Sequence, residues 1–281
     1  LQWNSDSDLL CVHYSEECTG ESGEENFIPK NSVVQLWYRS NYHWYLKHEI
    51  QFSEANFPQM IWWDPEMSPL RVHVSTSSNL YHIYDFAWIH STSPVESEEN
   101  ALIVAVVDGS SVHLTPMRYA LVPPPMSVAK LSVEHAILEV SMSNRSLYIL
   151  ENTGEISIYD FDKAAKKPPK FGLPPAKTGS ISLNDSIKSE TKAGFTPRHF
   201  NAINDSTIVL VMSNEEDTEE GGEILHIFQK TSQGSNETPQ SSWAHVKQVA
   251  YKQRILNIAV GAKSQSIYVQ TSTGSVFVQD I

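Results

Sequence analysis

SLYILENTGEISIYDF, residues Ser146–Phe161, and SIYVQTSTGSVFVQDI, residues Ser266–Ile281, align without a gap, and Ser, Tyr, Thr, Gly and Asp coincide at five places. Each stretch alternates apolar and polar residues, turns at Thr153-Gly154 or Thr273-Gly274, alternates again and reaches a terminal Asp. Period-two alternation is the mark of a strand, and glycine enters a tight turn at positive φ without steric cost. Arg71–Phe86, RVHVSTSSNLYHIYDF, has the same length and the same Ile-Tyr-Asp-Phe ending as Ile158–Phe161. Two looser copies share the plan: Ile103–Met117 turns at Asp108-Gly109, and Thr207–Phe228 carries a long insertion between its strands. Short apolar strands precede these hairpins at Ile61–Pro65, Ile137–Ser141 and Ile255–Val260, and Leu1–Asn4 followed by Asp8–Tyr14 reads as an aromatic strand, a polar turn and a second strand. Recurring small antiparallel units of this kind predict an all-β fold of β-propeller blades, each a four-stranded antiparallel sheet. The module count gives about six blades at propeller-repeat length.

Working outward, Val33–Phe52 reads VVQLWYRSNYHWYLKHEIQF and packs Trp37, Tyr38, Tyr42, Trp44 and Tyr45 into nine positions. Strand-like residues flank Ser40-Asn41, so the segment predicts an antiparallel hairpin loaded with rings. Aromatic rings bury large areas on a pleated surface, which predicts a mainly structural role, with some rings enclosed between neighbouring blades. Trp37 and Asp85 stand at the strand ends where Trp-Asp repeats carry their signature pair.

The formal charge of −13 is unevenly distributed. Residues 1–125 hold 16 acidic and 5 basic side chains, net −11, whereas residues 126–281 hold 17 and 15, net −2. Acidic runs at Glu16–Glu25, Glu96–Glu99 and Glu215–Glu223 read as solvated loops and repel nucleic-acid phosphates. The one basic cluster, Lys163, Lys166, Lys167 and Lys170, is interleaved with prolines, so residues 163–198 read as a disordered insertion with at most a weak, non-specific RNA contact. Cys11 and Cys18 are too few for a disulfide framework, which points to a reducing compartment. No apolar run is long enough to span a bilayer and no signal peptide is visible, so no membrane association is expected. On that reading the sequons at Asn144, Asn184, Asn204 and Asn236 are chance matches. The chain begins and ends within strand motifs without an initiator Met, as a piece of a longer protein would.

Leu121-Val122-Pro123-Pro124-Pro125-Met126 cannot form a central strand, because three prolines fix φ and remove amide donors. It reads as a stiff connector where the charge balance also changes. VQLW followed by NYHWYLK, the upstream LQWNSDSDLL and the downstream VPPPM together resemble the family of the largest scaffold subunit of the Elongator complex. The resemblance runs in order over Leu1–Met126, is densest over Val34–Lys47, and continues more loosely from Ala129. It implies parts of two tandem WD-repeat propellers: residues 1–122 as final blades of the first, 123–128 as connector, and 129–281 as opening blades of the second. It implies a non-catalytic scaffold supporting tRNA wobble-uridine modification at carbon 5, with the chemistry on a separate radical-SAM acetyltransferase subunit. Its implied partners are the other Elongator subunits, with homodimerisation and the family's basic tRNA-binding segment in regions absent here. The implied location is the cytoplasm, with the nucleus as a second compartment.

The residues themselves offer little chemistry. His43 and His48 lack an acidic or Cys companion in phase, and His73 and His82, on opposing strands of one hairpin, make at most two ligands where zinc needs more. Carboxylate pairs such as Asp64 with Glu66 sit in turns, and Asp85, Asp160 and Asp280 end strands where a hydrogen-bonding role suffices. No nucleophile elbow, phosphate-cradling loop or zinc-protease helix occurs. The expectation is therefore no catalytic residue, no cofactor and no metal. The competing readings are a generic WD-repeat interaction adaptor and, further off, a propeller hydrolase.

Overall fold

The computed structural model describes residues 1–15, 31–40, 42–65, 70–94, 102–122, 126–162, 173–187, 197–213, 222–232, 241–260 and 266–280. Every strand pairing among them is antiparallel, and strands consecutive in sequence lie side by side in six sheets. The chain divides into two compact units, Leu1–Trp88 and Ile89–Ile281.

In the first unit, β1 (Gln2–Trp3), β2 (Leu9–Ser15), β3 (Ser32–Ser40) and β4 (His43–Phe52) form one sheet. The next holds β5 (Pro58–Trp63), β6 (Arg71–Thr76) and β7 (Tyr81–Asp85). Leu9, Cys11, Val34 and Leu36 from the first sheet meet Trp63, Val72 and Val74 from the second in one buried core. These are the alternate positions of their strands, so each sheet turns one face to its neighbour.

Four sheets make the second unit. The first comprises β8 (His90–Thr92), β9 (Ile103–Asp108), β10 (Ser111–Pro116) and β11 (Ala129–Ser132). The second comprises β12 (Ile137–Met142), β13 (Ser146–Glu151), β14 (Glu155–Asp160) and β15 (Ala176–Ser182). The third comprises β16 (Pro197–Asn204), β17 (Thr207–Ser213), β18 (Glu223–Ser232) and β19 (Ser241–Tyr251), and the last β20 (Ile255–Val260), β21 (Ser266–Thr271) and β22 (Val276–Asp280). The leading strand of each sheet lies beside that of the next, and three successive cores fill the gaps between sheets. Leu147 and Ile149 enter one core while Tyr148 and Leu150 enter the next. Strands buried on both faces read as continuous apolar runs, which explains Leu-Tyr-Ile-Leu in β13 and Ile-Val-Leu-Val in β17. Face-to-face stacking of this kind is the packing of propeller blades.

The three aligned hairpins turn alike. Gly154 and Gly274 have φ of 80° and 81°, and Asn79 fills the same place at 59°. Each donates its amide to the carbonyl three residues back, Glu151, Thr271 and Thr76. Asparagine tolerates this left-handed conformation better than other side chains, so it substitutes for glycine in the third copy.

Two expectations differ from the structure. The expected connector at 123–128 does not separate one unit from another: β10 and β11 on either side pair directly, Ser111 with Ser132 and Leu114 with Ala129. The segment is thus flanked on both sides by strands of one blade, and Pro123–Pro125 lie outside the described residues. The expected insertion at 163–198 contains β15, the fourth strand of its blade, and the short helix α1 (Leu183–Ser186). Ser182 caps that helix by accepting from the Asp185 amide, and Leu173, Ile181, Leu183 and Ile187 are buried. These four buried apolar side chains anchor residues 173–187, the described part of that stretch before β16. Lys163, Lys166, Lys167 and Lys170 lie outside the described residues.

Candidate functional site

The aromatic hairpin forms as β3 and β4, with a register shift between Leu36 and Trp37. None of its rings is fully buried, although Tyr38 packs against the core between the two sheets. Tyr42 is fully exposed at the hairpin end with φ of 64°, Trp44 is 46% exposed, and Trp37, Tyr38 and Tyr45 are half-buried. The physical reason is position: β4, which carries Trp44 and Tyr45, is the edge strand of its sheet, and Tyr38 follows Val34 and Leu36 at the rim of the core. The rings also pair with one another and with neighbouring cations. Trp44 lies 5.6 Å from Trp3 across the sheet, Tyr38 stands edge-on to Trp88 at 5.3 Å, and Lys47 lies over Tyr45 at 5.6 Å. The Arg39 guanidinium sits 5.7 Å from the Trp3 ring centre.

Trp3 also borders an open groove of about 430 Å³ between Gln2–Ser5 on one side and Trp62–Pro65 on the other. One wall is a rigid turn. Asn4 is buried, its Oδ1 accepts from the amides of Asp8 and Leu9 at 3.1 Å, and its Nδ2 donates to Asp8 Oδ1 at 2.8 Å. The opposite wall is tied across: Trp63 Nε1 donates to the Gln2 carbonyl at 3.0 Å. Behind Trp62 the rings continue as a stack, with His73 at 5.4 Å and 13° and Tyr81 at 5.9 Å and 30°.

Asp64, at the end of the groove wall, is 8% exposed, and its Oδ2 lies 3.5 Å from His73 Nε2 and 3.9 Å from Arg71 Nη1. His73 Nδ1 meets the Tyr81 hydroxyl at 2.6 Å. Arg71 closes its fork on Asp85, at 2.6 and 3.0 Å. His73 and His82 do not face each other: His73 is opposite Ile83 and Val74 opposite His82, which puts the two imidazoles on opposite faces of the sheet. His43 and His48 also lie apart, edge-on to Tyr45 and Phe86 respectively. Asp280 accepts from Ser266 Oγ at 3.0 Å and Asp160 from the Asp162 amide at 2.8 Å, both local bonds at strand ends.

Among the described residues no group of three or more His, Cys, Asp or Glu could hold a metal ion. Burial pushes the Cys11 thiol up to about 11, so it stays protonated and unreactive at neutral pH. Glu66 and Cys18 lie outside the described residues, and no described helix is long and apolar enough to cross a membrane. What the surface offers is shape, rings and charge. The groove escapes a reading of sequence because Trp3 and Trp62 are 59 positions apart; its one local signal is the density of Trp62-Trp63-Asp64-Pro65.

A family model described as the ELP1 N-terminal second beta-propeller matches residues 106–280, and one described as the ELP1 first N-terminal beta-propeller matches residues 1–66. The chain belongs to the Elongator complex protein 1 family. The match to the first propeller falls within the unit Leu1–Trp88 and the match to the second within Ile89–Ile281. Elongator complex protein 1 of Mus musculus is 34% identical over 173 residues, 60% of this chain and 12% of the relative. A putative Elongator complex protein 1 of Xenopus laevis is 32% identical over 191 residues, 66% and 15% respectively. That of Drosophila melanogaster is 28% identical over 239 residues, 80% and 17%. The chain thus spans less than a fifth of the length of these relatives.

Proposed function

We propose that these blades are a non-catalytic docking platform within the scaffold subunit of the Elongator complex, which supports tRNA wobble-uridine modification at carbon 5. Membership of the Elongator complex protein 1 family carries this reading. The surface agrees with it in kind: rings stand exposed at Trp3, Trp44, Tyr81 and Trp88, where a protein partner buries them. The partners are the other Elongator subunits, among them the radical-SAM acetyltransferase subunit, and the full scaffold dimerises through regions outside this chain. The blades themselves bring no cofactor and no catalytic group, and the complex works in the cytoplasm, with the nucleus as a second compartment.

The test is affinity capture with the complete tandem propellers from cell extract at mild salt. Recovery of the radical-SAM subunit is the expected result. Recovery of no Elongator subunit overturns the platform.

A further inference from the structure

We propose that the groove between Gln2–Ser5 and Trp62–Pro65 receives a lysine or arginine side chain from an extended segment of a protein partner. This deepens the platform reading and rests on it only for the identity of the partner.

Three observations converge. Trp3 and Trp62 line opposite sides of the groove, and indole faces attract cations through the ring quadrupole. The molecule already shows this behaviour at the same ring, where Arg39 lies 5.7 Å from the Trp3 centre. Asp64 adds a carboxylate beside the rings, largely shielded from water, where a charge acts more strongly than in bulk solvent. It is held in place by His73 Nε2 at 3.5 Å and Arg71 Nη1 at 3.9 Å, and Arg71 also closes its fork on Asp85.

The walls are built in advance. The Asn4 turn holds Trp3, and the Trp63–Gln2 bond ties the two sides together, so a guest orders little on entering. A volume of about 430 Å³ accommodates one long side chain with the backbone on either side of it. Charge selects the guest. Leu1–Trp88 carries 12 acidic and 4 basic residues, net −8, a field that draws cations and repels a phosphate backbone. Aromatic rings alone would also stack nucleobases, but a nucleic-acid groove needs the basic residues that this unit lacks.

The full chain, labelled with fluorotryptophan and assigned by single Trp→Phe variants, is titrated with three probes and followed by fluorine NMR. The probes are an alternating Gly-Lys hexapeptide, the same peptide with its lysines acetylated, and a uridine hexanucleotide. The expected result is movement of the Trp3 and Trp62 signals with the lysine peptide, at least about tenfold weaker with the acetylated one, where the cation is gone. Asp64→Asn weakens the lysine peptide by about tenfold. Should that variant unfold, Trp3→Leu, at an exposed ring outside the core, removes the response while the Trp243 signal, in the other unit, keeps its position. Equal response to both peptides, response at Trp44 or Trp88 instead, or response only to the oligonucleotide overturns the proposal. No Elongator subunit is present in this titration, so failure of affinity capture leaves it standing, and a silent titration overturns it while the platform stands.

Discussion

Trp44 separates ring content from ring burial. At 46% exposure and in contact with Trp3, it has less to lose than an enclosed indole. Trp44→Ala should cost about 1–2 kcal/mol, against about 3–5 for a buried aromatic. Urea unfolding measures it, and a loss in the higher range would mean that this ring is covered in solution. His226 is the opposite case. It is 2% exposed, with Nδ1 3.2 Å from His245 Nε2, and burial together with that second imidazole lowers its pKa from 6.5 to about 4. The native state therefore holds it neutral where the unfolded chain takes up a proton. Stability from this site is complete above pH about 6.5 and falls as pH drops toward 4, by about 3 kcal/mol in all. His226→Gln should flatten the unfolding free energy between those pH values. An unchanged slope would assign the acid sensitivity to other groups.

At the scale of elements, neighbouring blades are fastened by polar bonds as well as by cores. Asp205, in the turn between β16 and β17, accepts from Ser143 Oγ at 2.5 Å and from the Arg145 amide at 3.0 Å, both in the β12–β13 turn of the preceding blade. Ser141 Oγ accepts from the Ala202 amide at 2.8 Å across the same pair of blades. The next pair repeats the device: Glu223, 3% exposed, accepts from the Ile255 amide at 2.5 Å, and His199 Nε2 donates to the Ile255 carbonyl at 3.1 Å. These bonds set the register of one blade on the next, which apolar contact alone leaves free to slide. Asp205→Ala strips two donors of their acceptor and should cost about 1–3 kcal/mol. Hydrogen exchange should show the loss concentrated in the β12–β13 and β16–β17 turns. A uniform loss over both units would mean that the bond contributes only to global stability.

For the whole molecule the governing quantity is charge. The net −13 opposes a phosphate backbone, and the one lysine-rich stretch is Lys163–Lys170. The chain should bind tRNA weakly, without sequence preference, and lose binding steeply as salt rises. Deleting Lys163–Lys170 should abolish the remainder while unfolding curves stay unchanged. Tight binding that survives the deletion, measured by filter retention at physiological salt, would place tRNA directly on a blade face and end the passive-platform reading.

The local geometry is legible in the residues. Alternation marks the strands, and Gly154, Gly274 and Asn79 mark the turns, because positive φ is permitted to few residue types and needs no knowledge of the rest of the chain. Burial is another matter. Tyr148 and Tyr268 occupy the same place in matching hairpins, yet the first is fully enclosed and the second 40% exposed. The difference lies in the sheet stacked beyond: β16–β19 covers the face of Tyr148, with Trp243 edge-on to its ring at 5.8 Å, and no described sheet covers that of Tyr268. Likewise Ala129–Ser132 looks like the start of a new unit until its pairing with β10 is seen, and Trp3 and Trp62 flank one groove only because β1 lies beside β5. Strands and turns follow from the covalent and steric preferences of neighbouring residues, which the sequence states outright. Which rings are covered, which blade a strand completes and where a groove opens depend on contacts between distant residues, and these exist only once the sheets have stacked.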